Sequence, residues 1–304
     1  MVKKRSIILI VIMLAVCVAV PIMAVARGRN ASADTEGPEM TCLTIWQIDG
    51  FEGGKGSRAQ FLTKTGERCF KNENIYVSVT TLSADMARRN LGEGNLPDMI
   101  SYSAGFYGLE NCVNDDLLNV TWCNGFYCLL TLDESADFTD VNAQNTVVNE
   151  GKDNLTEVAV TLCGLNGATF DMPTNAYLKL INGKYKYLLG TQRDIFRLKT
   201  RGESFKIKAV TQFNDLYQNI AVLTKEGGKI QKCQRFIDYL TKNSDVSGLG
   251  LFNGVKTERT DGLEEFDEVK FETRLNCLCS ESYINELKEY ARNGEINKIK
   301  NLLK

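Results

Sequence analysis

The sequence predicts an α/β fold built as two lobes. Three observations carry this. Between Thr41 and Tyr102 the patterns run strand, helix, strand, helix, strand, which implies a parallel, doubly wound sheet. Helical and extended patterns alternate again from Asn154 to Leu240. The chain has 304 residues, 43% of them hydrophobic, enough for one large domain or two lobes of roughly 100–150 residues each.

The elements follow in order. Thr41–Ile48 is apolar and β-branched, as a buried strand requires. Ser57 followed by Gln60 reads as a capping box that starts a helix carrying Phe61, Leu62, Cys69 and Phe70. Ile75–Thr80 alternates as a second strand, Ser83 caps a second helix through Leu91, and Leu96–Tyr102 is a third strand. Trp122–Asp133 reads as one apolar, aromatic run. Helices are expected at Asn154–Leu165, Asn175–Ile181 and Ile230–Leu240, and strands at Lys184–Gly190, Phe205–Val210 and Asn219–Thr224. Residues Asn253–Glu272 are charged and irregular, and Ser282–Leu303 reads as two short helices joined at Asn293-Gly294. The strands near 122–132 and 219–224 are available as crossovers.

Composition narrows the function classes. Lys plus Arg number 36 and Asp plus Glu 38, so the net charge of −2 makes no electrostatic case for nucleic acid. The absence of histidine removes Ser-His-Asp and Cys-His nucleophile systems and every His-containing zinc site. Lys3, Lys4 and Arg5 precede the uncharged run Ile7–Ala26, which ends in the cleavage-type triplet Ala24-Val25-Ala26. This is the pattern of a secretory signal, and an uncleaved anchor has the same length. Cys17 stands where a lipobox cysteine would, with Val16 before it in place of a small residue. Of ten cysteines, nine follow Cys17, and none has C-x-x-C spacing, so they read as small buried hydrophobes.

The stretch Asp49–Ser57 is the most distinctive. Four glycines beside a helix start let a ligand approach the backbone, at the carboxyl end of a strand where open α/β sheets bind. Gly54-Lys55 imitates a phosphate loop, but Asp49 occupies the first glycine position and Gly56 separates Lys55 from Ser57. Asp49, Phe51 and Glu52 are therefore candidate ligand contacts rather than nucleotide-hydrolysing groups. Ser101, Tyr102, Phe106, Tyr107, Trp122, Phe126 and Tyr127 lie at or after candidate strands and could supply hydroxyl partners and aromatic platforms, each aromatic being an equal candidate for core packing. Arg193 and Asp194 follow a strand and could hold a ligand or each other. The adjacent acids Asp115-Asp116 and Glu264-Glu265 diverge in either regular conformation and read as solvated charges. No catalytic group, cofactor or metal site is expected.

Three stretches, Leu43–Arg58, Gly94–Ser101 and Gly183–Gly190, resemble segments of the extracellular solute-binding proteins of bacterial ABC importers, above all the carbohydrate-type family 1. Ala221–Leu240, a strand followed by an amphipathic helix, is similar to their second half. The resemblance covers most of residues 41–252 and implies a type 2 periplasmic-binding fold, in which two α/β lobes joined by a hinge close on a ligand in a central cleft. It implies an extracytoplasmic receptor, secreted or tethered to the outer face of the membrane. Such a receptor is monomeric, binds a sugar or oligosaccharide and delivers it to an ABC permease. The body is shorter than most members and the region after Asn253 matches weakly.

The resulting division is a signal peptide or anchor at 1–26, a linker at 27–40, lobe one at 41–120 plus about 218–255, and lobe two at 121–217. Residues 256–304 form a C-terminal helical segment that the sequence assigns to neither lobe. Two other functions remain open: the same fold binding an anion, amino acid or peptide, and a secreted carbohydrate enzyme using carboxylates.

Overall fold

A computed structural model of the chain describes residues 40–51, 56–110, 112, 119–151, 154–243, 245–252, 263–276 and 278–304. Residues 1–39 with Cys17, together with Glu52, Asp115-Asp116 and Cys277, lie outside the described residues. So do residues 253–262.

The first sheet has strand order β2-β1-β3-β10-β4. Its strands are β1 (Thr41–Gln47), β2 (Ile75–Thr81), β3 (Met99–Ser103), β4 (Asn119–Asn124) and β10 (Tyr217–Val222). β1 runs parallel to β2 and β3, whereas β10 is antiparallel to both β3 and β4. The sheet is thus mixed and not wholly parallel, because β10 returns from the other lobe and enters from the opposite end. β3 is buried throughout, as a strand covered on both faces must be. Helix α1 (Arg58–Glu73) starts where the Ser57 hydroxyl accepts from the Gln60 amide, and α2 (Ala84–Gly92) where the Ser83 hydroxyl accepts from the Met86 amide.

The second sheet has order β7-β6-β8-β5-β9 and repeats the plan. Its strands are β5 (Tyr127–Thr131), β6 (Thr146–Asn149), β7 (Thr169–Asp171), β8 (Tyr187–Thr191) and β9 (Lys206–Ala209). Helices α3 (Thr156–Leu162), α4 (Pro173–Ile181) and α5 (Gln192–Arg201) join its strands. β6 is parallel to β7 and β8, and β5 is the antiparallel strand contributed from across the molecule.

The run Trp122–Asp133 is not one element. It is the end of β4, a crossing, and β5 in the other sheet. Gly125 makes the break, because a Cβ there would overlap the Gln192 side chain. The chain crosses back between Ala209 and Tyr217, and the two crossings touch: the Gly125 amide donates to Leu216 O at 2.5 Å and the Asn214 amide group to Gly125 O at 3.1 Å. The predicted helix at Asn154–Leu165 is shorter than its apolar pattern, since Cys163 already caps it. β6 and β7, of four and three residues, carry too little pattern to be seen in the sequence.

Helix α6 (Gly227–Asn243) covers the first sheet beside α1. The tail forms α7 (Glu281–Arg292) and α8 (Ile296–Leu302), and both pack on α3, with the Thr161 hydroxyl donating to Ala291 O at 3.0 Å. The two C-terminal helices thus pack on a helix of the second sheet. Among the described residues no helix is long and apolar enough to cross a membrane.

Candidate functional site

β1 ends at Gln47, and the chain turns through Ile48, Asp49, Gly50 and Phe51. A buried arginine, Arg58, sets this turn. Its Nε lies 2.7 Å from Asp49 Oδ1, one terminal nitrogen donates to Phe51 O, and the other donates to Gln218 Oε1 at 3.3 Å. Its guanidinium also covers the Phe51 ring at 4.3 Å. Gln47 Nε2 donates to the same Asp49 oxygen at 2.9 Å. Gly50 lies so near Ser103 that a Cβ would overlap the serine side chain, which brings the ends of β1 and β3 into direct contact.

These strand ends open onto a cavity of about 220 Å³. From the first lobe it is lined by Ile48, Asp49 and Gly50, by Ala84 and Arg88 of α2, and by Ser103 through Tyr107 after β3. Asn154 and Leu155 before α3, Asp215 in the second crossing, and Ile284 and Lys288 of α7 close it from the other side. The volume lies below the roughly 300–1,000 Å³ of pockets for drug-sized ligands, so it suits a small solute.

Charge on the wall is unevenly partnered. Asp215 is buried; its Oδ1 accepts from the Tyr127 hydroxyl at 2.8 Å and its Oδ2 from the Leu155 amide at 2.5 Å. Burial pushes its carboxyl up to about 6, against the opposing pull of those two donors. Tyr127 is raised well above its ordinary value by burial and by Asp215. Arg88 pairs at 2.5 Å with Asp85, a carboxylate 90% exposed, and lies over the rings of Tyr107 at 4.3 Å and Phe106 at 5.7 Å. The Ser103 hydroxyl is buried and has no hydrogen-bond partner among the described residues. The Tyr107 hydroxyl donates to Glu281 Oε1 at 3.3 Å.

Of the residues singled out in the sequence, Asp49, Phe106 and Tyr107 line this cavity. Glu52 lies outside the described residues. Phe51 is buried beneath Arg58. Ser101 is buried one layer back, where its hydroxyl accepts from Trp122 Nε1 at 3.0 Å and from Gln218 Nε2 at 3.2 Å. Trp122 stacks on Phe61 with ring centroids 5.8 Å apart, and Tyr102 points to the opposite, apolar face of β3. Tyr127 reaches the site only through Asp215. Phe126 is core, packed on Phe252 and Phe266.

Arg193 and Asp194 do not join the cavity. Asp194 is wholly buried and forms the capping box of α5, accepting from the Thr191 amide, from Asn149 Nδ2 at 2.7 Å and from Arg197 at 2.8 Å. Arg193 borders a separate depression on α5 with Tyr177, Arg197 and Arg201. Sequence reasoning missed Arg88, Ser103, Asp215 and Lys288. A charged residue one helical turn inside α2 was the one usable signal, because the start of a helix that follows a parallel strand faces the ligand side of such a sheet. Among the described residues no three Cys, Asp or Glu side chains gather as a metal ion would require.

No protein-family model matches the sequence, and no curated protein matches it. Among solved structures, iron-bound HitA from Pseudomonas aeruginosa aligns with a TM-score of 0.51 at 12% identity, over 83% of this chain and 99% of that one. This is a type 2 periplasmic-binding fold. Weaker likenesses are an ancestral cationic amino acid solute-binding protein (TM-score 0.45, 12% identity, 66% of this chain, 88% of that) and a two-component signal-transduction protein (TM-score 0.49, 11% identity, 81% of this chain, 100% of that). At these identities the likeness is one of fold. In this periplasmic-binding architecture the cavity at Asp49 and Ser103 lies between the lobes, at the carboxyl ends of β1 and β3.

Proposed function

We propose that the protein is an extracytoplasmic solute-binding receptor of an ABC importer. It takes one small polar solute between its lobes and delivers it to a membrane permease without breaking a bond. The observation that carries this is a cavity walled by both lobes, beside two chain crossings that touch at Gly125, Asn214 and Leu216. Solute touching both walls favours the closed arrangement, because only that arrangement contacts it from two sides. The basic segment and apolar run at 1–26 support export, with the mature chain released or held at the outer face.

A sugar is the solute implied by the sequence resemblance, with Asp49, Phe106 and Tyr107 on the wall to meet it. A charged solute is the second reading, favoured by Arg88 and Lys288 on the same wall.

The test is a thermal-shift panel of sugars, amino acids and small anions, followed by small-angle scattering with the compound that stabilises most. A solute that binds only the folded state raises the melting temperature, and closure shortens the radius of gyration. Product release from an oligosaccharide, or stabilisation by no compound at all, would remove the receptor role.

A further inference from the structure

We propose that the solute in this cavity carries an oxyanion group, a carboxylate or an inorganic oxyanion, held by Arg88 and Lys288 with the Ser103 hydroxyl. This rests on the receptor role and narrows it.

The acids on the wall are already engaged. Asp49 Oδ1 is held by Arg58 and Gln47, and both Asp215 oxygens accept from protein donors. The cations are engaged far less. Arg88 has Asp85 as its ion partner, and a pair with so exposed a carboxylate contributes little and exchanges readily. Lys288 is half-buried on α7, and among the described residues no carboxylate lies within ion-pair distance of it.

Two further observations point the same way. The buried Ser103 hydroxyl lacks a partner among the described residues, and Ser103 lines the cavity, so it is a donor without an acceptor beside that space. Leaving such a buried hydroxyl unbonded is unfavourable, and a seated acceptor relieves that cost. Arg88 already occupies ring surface that a sugar could stack on: its guanidinium lies 4.3 Å from the Tyr107 centroid and 5.7 Å from that of Phe106. Stacking also orients the guanidinium fork, whose parallel N–H groups match the spacing of two oxyanion oxygens.

The experiment is titration calorimetry on the full chain with acetate, succinate, glutamate, phosphate and sulfate in one arm and glucose and maltose in the other. The expected result is binding of at least one oxyanion, weakened tenfold or more by Arg88→Gln and by Lys288→Gln, weakened less by Arg88→Lys, and unchanged by Arg193→Gln. The carboxylate and inorganic compounds separate the two sources of the group. Both cations reach solvent, so unchanged melting temperatures of the free variants establish that they fold. Binding of a sugar with equal affinity in Arg88→Gln, or oxyanion binding insensitive to both variants, would overturn the oxyanion assignment while leaving a receptor. Binding by neither arm would remove the receptor role and the assignment with it.

Discussion

The Tyr127 hydroxyl donates to Asp215 Oδ1 at 2.8 Å, joining the two crossings of the chain. Tyr127 opens β5 just after the first crossing, and Asp215 lies in the second, just before β10. The bond therefore ties the segments about which the lobes would move, and the Leu155 amide on the other carboxylate oxygen adds the start of α3.

Tyr127→Phe removes the donor and keeps the ring. Stability should fall by about 1–3 kcal/mol in urea denaturation, the cost of leaving a buried acceptor unpaired. The hydroxyl favours the ionised carboxylate, so its loss should also raise the Asp215 titration midpoint above its value near 6.

Stability should depend on pH through Asp215. Its ordinary value is 3.8 and burial lifts it to about 6 in the folded chain, so the folded state holds the proton more tightly. The stabilisation is complete below about pH 4 and is lost as pH rises to about 6, a loss of about 3 kcal/mol at ~1.4 kcal/mol per pH unit. Asp215→Asn should lack this component. Urea melts of both proteins from pH 4 to 7 check it, and parallel curves would contradict it.

Arg58→Met should cost more than Asp49→Asn. Removing the arginine leaves the buried Phe51 carbonyl and Gln218 Oε1 without their donor, whereas Asp49 keeps 43% of its side-chain exposure and can turn to water. We expect about 2–4 kcal/mol against under about 1 kcal/mol, with a double-mutant cycle showing weak coupling between the charges.

Gly50→Ala should destabilise by about 1–3 kcal/mol, because the new methyl overlaps Ser103 and forces β1 and β3 apart at the cavity floor. Gly228→Ala on α6 meets nothing within 4 Å and should instead stabilise by about 0.4–1 kcal/mol. Melting temperatures measured side by side separate the two.

The β1-to-β3 part of the first sheet was readable in the sequence because its elements carry local signals: alternation in Ile75–Thr80 and serine caps before α1 and α2. β6 and β7 were not, since three or four residues hold no period. The antiparallel entry of β10 depends on the crossing at 209–217, which no local pattern announces. At the site, Asp49, Phe106 and Tyr107 were accessible to reasoning because they directly follow strands. Arg88, Asp215 and Lys288 resemble ordinary solvated or loop charges until α2, the second crossing and α7 are packed around one space. Trp122 and Asp194 misled for the opposite reason, because residue types suited to ligands also serve as core and cap.

Tyr107 and Glu281 meet across 174 positions of chain, and Lys288 completes the wall beside them. Contacts this distant form late in folding, since their loop closure must be met before they give any return. The wall of the cavity is therefore incomplete until residues 281–292 have packed against the rest of the chain.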